Sequence, residues 1–213
     1  GYTDSSGDYE VIDLHAGTYF VRTEDEEYFD EVFDDIPCPA GCDPTAGTPV
    51  IVANANTTSG IDFSLVAKGK ISGAVTAEVG GEPVRMRVEL YSQLGEYLDS
   101  DVSHSGLYEF VGVDDGQYFV VANRYNSNDP YLEELYDDLP CWGGPPAGCV
   151  VTDGTIVNVA AATTTTGIDF QLLRKGSIEG TVVESPNQTP LSYGGFVVAM
   201  ELSNPGTWVD TDS

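Results

Sequence analysis

Few residues in this chain are of types that do chemistry, and their spacing is the first thing to weigh. Only two histidines occur, His15 and His104. A Ser–His–Asp arrangement would draw on one of them, for example in Asp101-Val102-Ser103-His104-Ser105. Each lies in a polar, turn-like stretch, and the matching position of the internal repeat described below carries another residue. Both therefore read as surface histidines. No P-loop, dinucleotide-binding glycine run or zinc-protease helix is present. No catalytic residue is expected, and the chain is not read as an enzyme. The four cysteines form two close pairs, Cys38 with Cys42 and Cys141 with Cys149. Zinc usually takes two such pairs or a pair with histidine, and neither histidine lies near a cysteine in sequence. Local disulfides, a zinc site and free thiols are the alternatives. The Pro/Gly-rich spacers and acidic flanks favour disulfides, and these imply an oxidising, extracellular compartment.

The remaining chemistry is acidic. Asp and Glu total 35 against 8 Lys and Arg, a formal net charge of -27. Such a surface repels nucleic acid and anionic membranes, which are bound by basic side chains that displace counterions. Solubility accounts for the charge, and no cofactor is required. Ca²⁺ is the one ion the composition suits, being held by carboxylate and carbonyl oxygens. The pairs Asp34-Asp35 and Asp137-Asp138, each beside a cysteine loop, are the candidate ligands; a hydrated turn is the alternative reading. Asp62 and Asp169 also recur. No apolar run is long enough to span a bilayer as a helix, so no direct membrane insertion is expected. Asn56-Thr57-Thr58 and Asn187-Gln188-Thr189 fit the glycan acceptor pattern, which in a bacterial protein usually carries no meaning.

The elements that position these residues come in two copies. Gly7-Asp8-Tyr9-Glu10-Val11 matches Gly106-Leu107-Tyr108-Glu109-Phe110, and Gly17-Thr18-Tyr19-Phe20-Val21 matches Gly116-Gln117-Tyr118-Phe119-Val120, both 99 positions apart. Asp34-Asp35-Ile36-Pro37-Cys38 matches Asp137-Asp138-Leu139-Pro140-Cys141 at 103. Gly60-Ile61-Asp62-Phe63 matches Gly167-Ile168-Asp169-Phe170, and Lys68–Gly73 matches Lys175–Gly180, at 107. The offset grows inside loops and holds within the apolar runs, as in a folded repeat.

Within one repeat, apolar alternation and turn residues predict strands at 71–76, 84–91, 97–102, 106–111, 118–123, 155–161 and 167–173. The stretch 131–139 reads as a helical turn or an irregular strand. About seven short strands in roughly 100 residues make an all-β, two-sheet, immunoglobulin-like sandwich.

The run Gly7-x-Tyr9-x-Val11-x-x-Leu14-x-x-Gly17-x-Tyr19-x-Val21, with its second copy from Gly106 to Val120, resembles the signature of carboxypeptidase regulatory-like domains. The Lys-Gly-x-Ile-x-Gly openings at 68–73 and 175–180 match that family's usual start. The resemblance implies a transthyretin-like Greek-key sandwich used as a structural or adhesive module, with no catalytic residue. The B-type repeats of Gram-positive surface adhesins are related. Their isopeptide would need Lys70, but Ser177 stands in its place in the other copy and no matching Asn follows.

The repeat is cut in mid-phase. Residues 1–65 read as the back half of a sandwich, 66–173 as a complete one, and 174–213 as the front half of another. Either half alone would expose apolar faces: Tyr9, Val11, Tyr19 and Val21 in the first, Phe196, Val198 and Met200 in the last. Exposed edges invite pairing with another chain. The expectation is a structural subunit of an extracellular or cell-surface fibre, a homopolymer of this chain joined head to tail by strand complementation or a continuous tandem array. An adhesin stalk or accessory binding module of a larger secreted protein is the alternative.

Overall fold

The computed structural model describes residues 1–39, 41–190, 197 and 199 of the 213. They are all-β, with two short 3₁₀ turns at Pro44–Ala46 and Val151–Asp153. The chain divides into two units, Gly1–Lys175 and Gly176–Ser213. Phe196, Val198 and Met200 lie outside the described residues. Among the described residues no helix is long and apolar enough to cross a membrane.

The first unit opens with four short strands, β1 (Gly17–Tyr19), β2 (Glu31–Val32), β3 (Ile36–Pro37) and β4 (Val50–Val52). The complete sandwich follows. Its strands are β5 (Gly69–Ala77), β6 (Arg87–Ser92), β7 (Tyr97–Val102), β8 (Leu107–Val113), β9 (Gly116–Asn123), β10 (Glu134–Leu135), β11 (Leu139–Pro140), β12 (Val157–Val159), β13 (Thr164–Thr165) and β14 (Phe170–Leu172). One sheet runs β11-β10-β9-β6-β7, with β12 also on β9. In the other, β5 is the centre: β8 pairs with it antiparallel, and β13 and β14 pair with it in parallel. Counting β13 and β14 as one interrupted edge gives seven principal strands, to which β10 and β11 add a short hairpin. The ambiguous stretch 131–139 is thus an irregular strand.

The core explains this arrangement. Ile71, Val75, Met86, Val88, Phe110, Val120, Phe170 and Leu172 fill the space between the sheets. Strand β9 is buried on both faces, because Phe119 and Val121 point away from that core into a second cluster with Tyr91, Leu135, Cys141 and Val151. A strand covered on both sides reads as a continuous apolar run, which is what Tyr118–Ala122 is. The expected strand at 84–91 begins as regular ladder only at Arg87. Before it, Val84 and Met86 are buried as the chain crosses toward β6, and buried Ser103 accepts the Met86 N–H through Oγ (2.8 Å) and donates to the Val84 carbonyl (2.7 Å).

The back-half copy is built in the same register. Gly17 pairs with Val52 and Tyr19 with Val50, as Gly116 pairs with Val159 and Tyr118 with Val157. Glu31–Pro37 and Val32–Ile36 repeat as Glu134–Pro140 and Leu135–Leu139. The second unit holds β15 (Val183–Glu184) and β16 (Thr189–Pro190), with Val183 opposite Pro190. That hairpin reproduces the bridge between Thr76 and Pro83.

Candidate functional site

Each expected chemical group has a place in the fold. Cys38 is bonded to Cys42 and Cys141 to Cys149, and no free cysteine remains. Both Cys38 and Cys141 are fully buried, so the disulfides anchor their loops beneath β2–β3 and β10–β11. His15 and His104 are exposed. His104 borders an open cleft of about 540 Å³ with Asp101, Tyr108 and Asp169, but its neighbour Ser103 is sealed in the core and its hydroxyl is committed to backbone.

The acidic pairs have a backbone reason to recur. Asp35 (φ 56°) and Asp138 (φ 55°) occupy the left-handed region at matching hairpin turns, and Asp34 (φ 83°) does so beside the first. Asp tolerates that conformation better than most side chains. Asp34 Oδ2 also accepts a hydrogen bond from Thr48 Oγ1 (3.0 Å). Among the described residues no three His, Cys, Asp or Glu side chains gather as a metal-holding group.

A polar network missed by sequence reasoning ties the larger disulfide loop to the sheet. Glu89 is buried and accepts hydrogen bonds from Tyr91 Oη (2.7 Å) and Asn123 Nδ2 (3.2 Å). Buried Glu133 accepts the Gly143 N–H (3.1 Å) and faces Arg124 Nε at 3.5 Å. Burial and the Glu89 carboxylate push the Tyr91 phenol far up, so it stays a donor. Only the shared location of these residues near the loop, not any local motif, brings them together.

The two copies differ most at the apolar face formed by residues 8–14 and 60–65, which carry no strand ladder. In the complete copy, Tyr108 Oη donates to the Ile168 carbonyl (2.6 Å), and Asp169 Oδ1 accepts the Ala74 N–H of β5 (2.8 Å). In the back-half copy Tyr9 Oη donates to the Ile61 carbonyl at the same 2.6 Å. The rings of Tyr9 and Phe63 stand 6.3 Å apart at 47°, as do those of Tyr108 and Phe170. Burial followed by the nearby Asp raises both phenols, Asp62 acting on Tyr9 and Asp169 on Tyr108. The tyrosine–carbonyl bond and the ring pair of the complete copy thus recur in residues 8–14 and 60–65, although no strand ladder is formed there.

Matching side chains also differ in exposure between the two copies. Val11 is 46% exposed, whereas its counterpart Phe110 is 2% exposed. Tyr9 and Leu14 are exposed where Tyr108 and Val113 are buried, and Tyr19 and Val21 are half-buried where Tyr118 and Val120 are buried. On the outer face Ile12 and Val111 are both exposed, as are Val66 and Leu173, whereas Phe20 is exposed and its counterpart Phe119 is buried. The contrast includes the face that β5 and β6 cover in the complete copy, where Val11 differs from Phe110 and Leu14 from Val113.

No family model matches the chain, and no curated protein matches it. Among solved structures it is similar to the group B streptococcus pilus 2b backbone protein, at 13% identity and a TM-score of 0.33, over 80% of this chain and 54% of that one. The chain thus spans about half the length of that protein.

Proposed function

We propose that this chain is a structural subunit of an extracellular fibre, in which a half-sandwich is completed head to tail by another copy. The observation that carries the reading is the residue-by-residue contrast between the two copies, in which one set of apolar side chains is buried once and open once. Burying an aliphatic side chain fully contributes about 1.5–3 kcal/mol. Covering Val11, Leu14 and their neighbours would contribute on the order of 5–10 kcal/mol before the cost of association is subtracted. Two disulfides support an oxidising, extracellular setting. The net charge of -27 disfavours nucleic acid as a partner. The proposal assigns the chain no catalytic role.

Negative-stain electron microscopy of the native material tests it. Long, thin filaments of end-to-end sandwiches are the expected result, and compact monodisperse particles at all concentrations would end the reading. A second reading, an accessory binding module, is favoured by the exposed side chains of Leu94, Tyr97 and Val150 around an open groove of about 510 Å³. Retained binding of a soluble ligand by monodisperse particles would support it instead.

A further inference from the structure

The third-copy segment contains glycines that its own surroundings do not explain. In β5, a Cβ at Gly73 would overlap the Ile168 carbonyl, and one at Gly69 would overlap the Val159 side chain. Glycine at both positions is what lets β12 and β14 approach β5. The matching residues are Gly180 and Gly176, and a Cβ on either meets nothing within 4 Å. Ile178 is 87% exposed where Ile71 is fully buried, and Val182 is exposed where Val75 is buried. The segment carries the glycine and apolar pattern of β5, and among the described residues no strand pairs with 176–182.

The back-half copy has the complementary lack. The Ile61 carbonyl is held by Tyr9 as Ile168 is held by Tyr108. Asp62 is exposed, and among the described residues no donor reaches its carboxylate, although its counterpart Asp169 caps a β5 N–H. We infer that residues 176–184 of one chain seat as the central strand on the open edge of a second copy, between its residues 8–14 and 60–65, with Gly180 over the Ile61 carbonyl.

The register follows from the complete copy. There Phe170 lies parallel to Val75, and Ser72 lies antiparallel to Glu109. At the junction Phe63 therefore meets Val182, and Glu10 meets Glu179. The Thr181 N–H takes the place of the Ala74 N–H and donates to Asp62. Ile178 and Val182 enter the core beside Tyr9 and Val11. The pairing joins different surfaces of the two chains, so each added copy leaves a free surface of each kind for the next.

This inference rests on the fibre reading but adds a register, and the two fail differently. All native cysteines are paired, so an introduced thiol is the only free one. Separately purified full-length Glu10→Cys and Glu179→Cys chains are mixed under mild oxidation. The cross-linked heterodimer is expected to exceed that from the register-shifted mixture of Glu10→Cys with Thr181→Cys by about tenfold or more. Equal yields, or a bond formed within one chain carrying both Glu10→Cys and Glu179→Cys, would overturn it. Filaments without register preference would leave the fibre reading standing and remove this one. As a second measurement, Gly180→Val should leave the melting temperature of unassembled chains unchanged and weaken assembly by about tenfold or more, whereas Asn187→Ala in the β15–β16 turn should change neither. Normal assembly of the Gly180→Val chain would also refute the proposed seat.

Discussion

Gly73 and Gly180 share a place in the repeat, and their substitution should have opposite visibility in the isolated chain. At Gly73 any side chain meets the Ile168 carbonyl and the Tyr108 ring, both held by their mutual hydrogen bond. Gly73→Ala should therefore destabilise the complete sandwich by about 2–3 kcal/mol, read as a lowered denaturant midpoint. The same change at Gly180 should move the midpoint by less than about 0.5 kcal/mol. A similar asymmetry holds for the tyrosines. Tyr108→Phe strips a buried carbonyl of its donor and should cost about 1–2 kcal/mol, whereas around Tyr9 water reaches the exposed edge and the loss should be near zero until a partner covers it. Equal effects at Tyr9 and Tyr108 in unassembled protein would contradict the open-edge description. The paired positions Asp13 and Gly112 illustrate why spacing outlasts identity. Both have positive φ, but a Cβ at Gly112 would overlap the Glu26 carbonyl, so only that copy needs glycine.

At the scale of the element, the hairpin of β10 and β11 should respond to pH. Burial, followed by Asp138, Asp137 and Glu78, pushes the Glu134 carboxyl up to about 7 from an ordinary 4.5. Its folded value lies above its unfolded one, so the folded state holds the proton more tightly. The stability this group contributes is complete below about pH 4.5 and is lost as pH rises through about 7. The partly solvated site reduces the effect to on the order of 1 kcal/mol. Glu134→Gln should flatten the fall in melting temperature between pH 5 and pH 8 by that amount; an unchanged slope would show that the carboxylate is solvated. The loop closed by Cys141 and Cys149 is pinned to the second apolar cluster by buried Cys141, with Cys149 packed against it. Replacing both cysteines by alanine should cost about 2–3 kcal/mol by the loop-closure argument, with β9 still folded on its inner face.

For the whole molecule, charge and assembly pull against each other. A net charge of -27 makes every approach of one copy to another repulsive at low salt. Screening shortens that repulsion to about 10 Å at 0.1 M salt. Light scattering should therefore show assembly strengthening as NaCl rises. CaCl₂ at matched ionic strength should do no more than NaCl if the acidic turns are structural, as their left-handed backbone suggests. A marked excess effect of Ca²⁺ at millimolar concentration would instead assign it a site at Asp34, Asp35, Asp137 or Asp138.

The repeat, its strands and its loop insertions were legible in the residues because each rests on local causes: alternation along a strand, turn residues with positive φ, and insertion at loops. Strand β7 spans Tyr97–Val102, the stretch that alternation and the preceding Gln93–Glu96 turn predict. The disulfide pairs were legible because their partners lie 4 and 8 residues apart. The crossing of Val84–Met86 between sheets was not, since alternation is the same whether a buried residue sits in a ladder or beside one. Nor were the Glu89–Asn123–Tyr91 contacts, which join strands distant in sequence. The sequence by itself determined that Tyr9 and Val11 match Tyr108 and Phe110 of the second copy and that Ile178 matches Ile71. Only the tertiary structure decided that Tyr9, Val11 and Ile178 stand exposed, because exposure depends on which strands are present to cover them. It also decided why Gly73 must be glycine, since that requirement comes from a carbonyl 95 residues away.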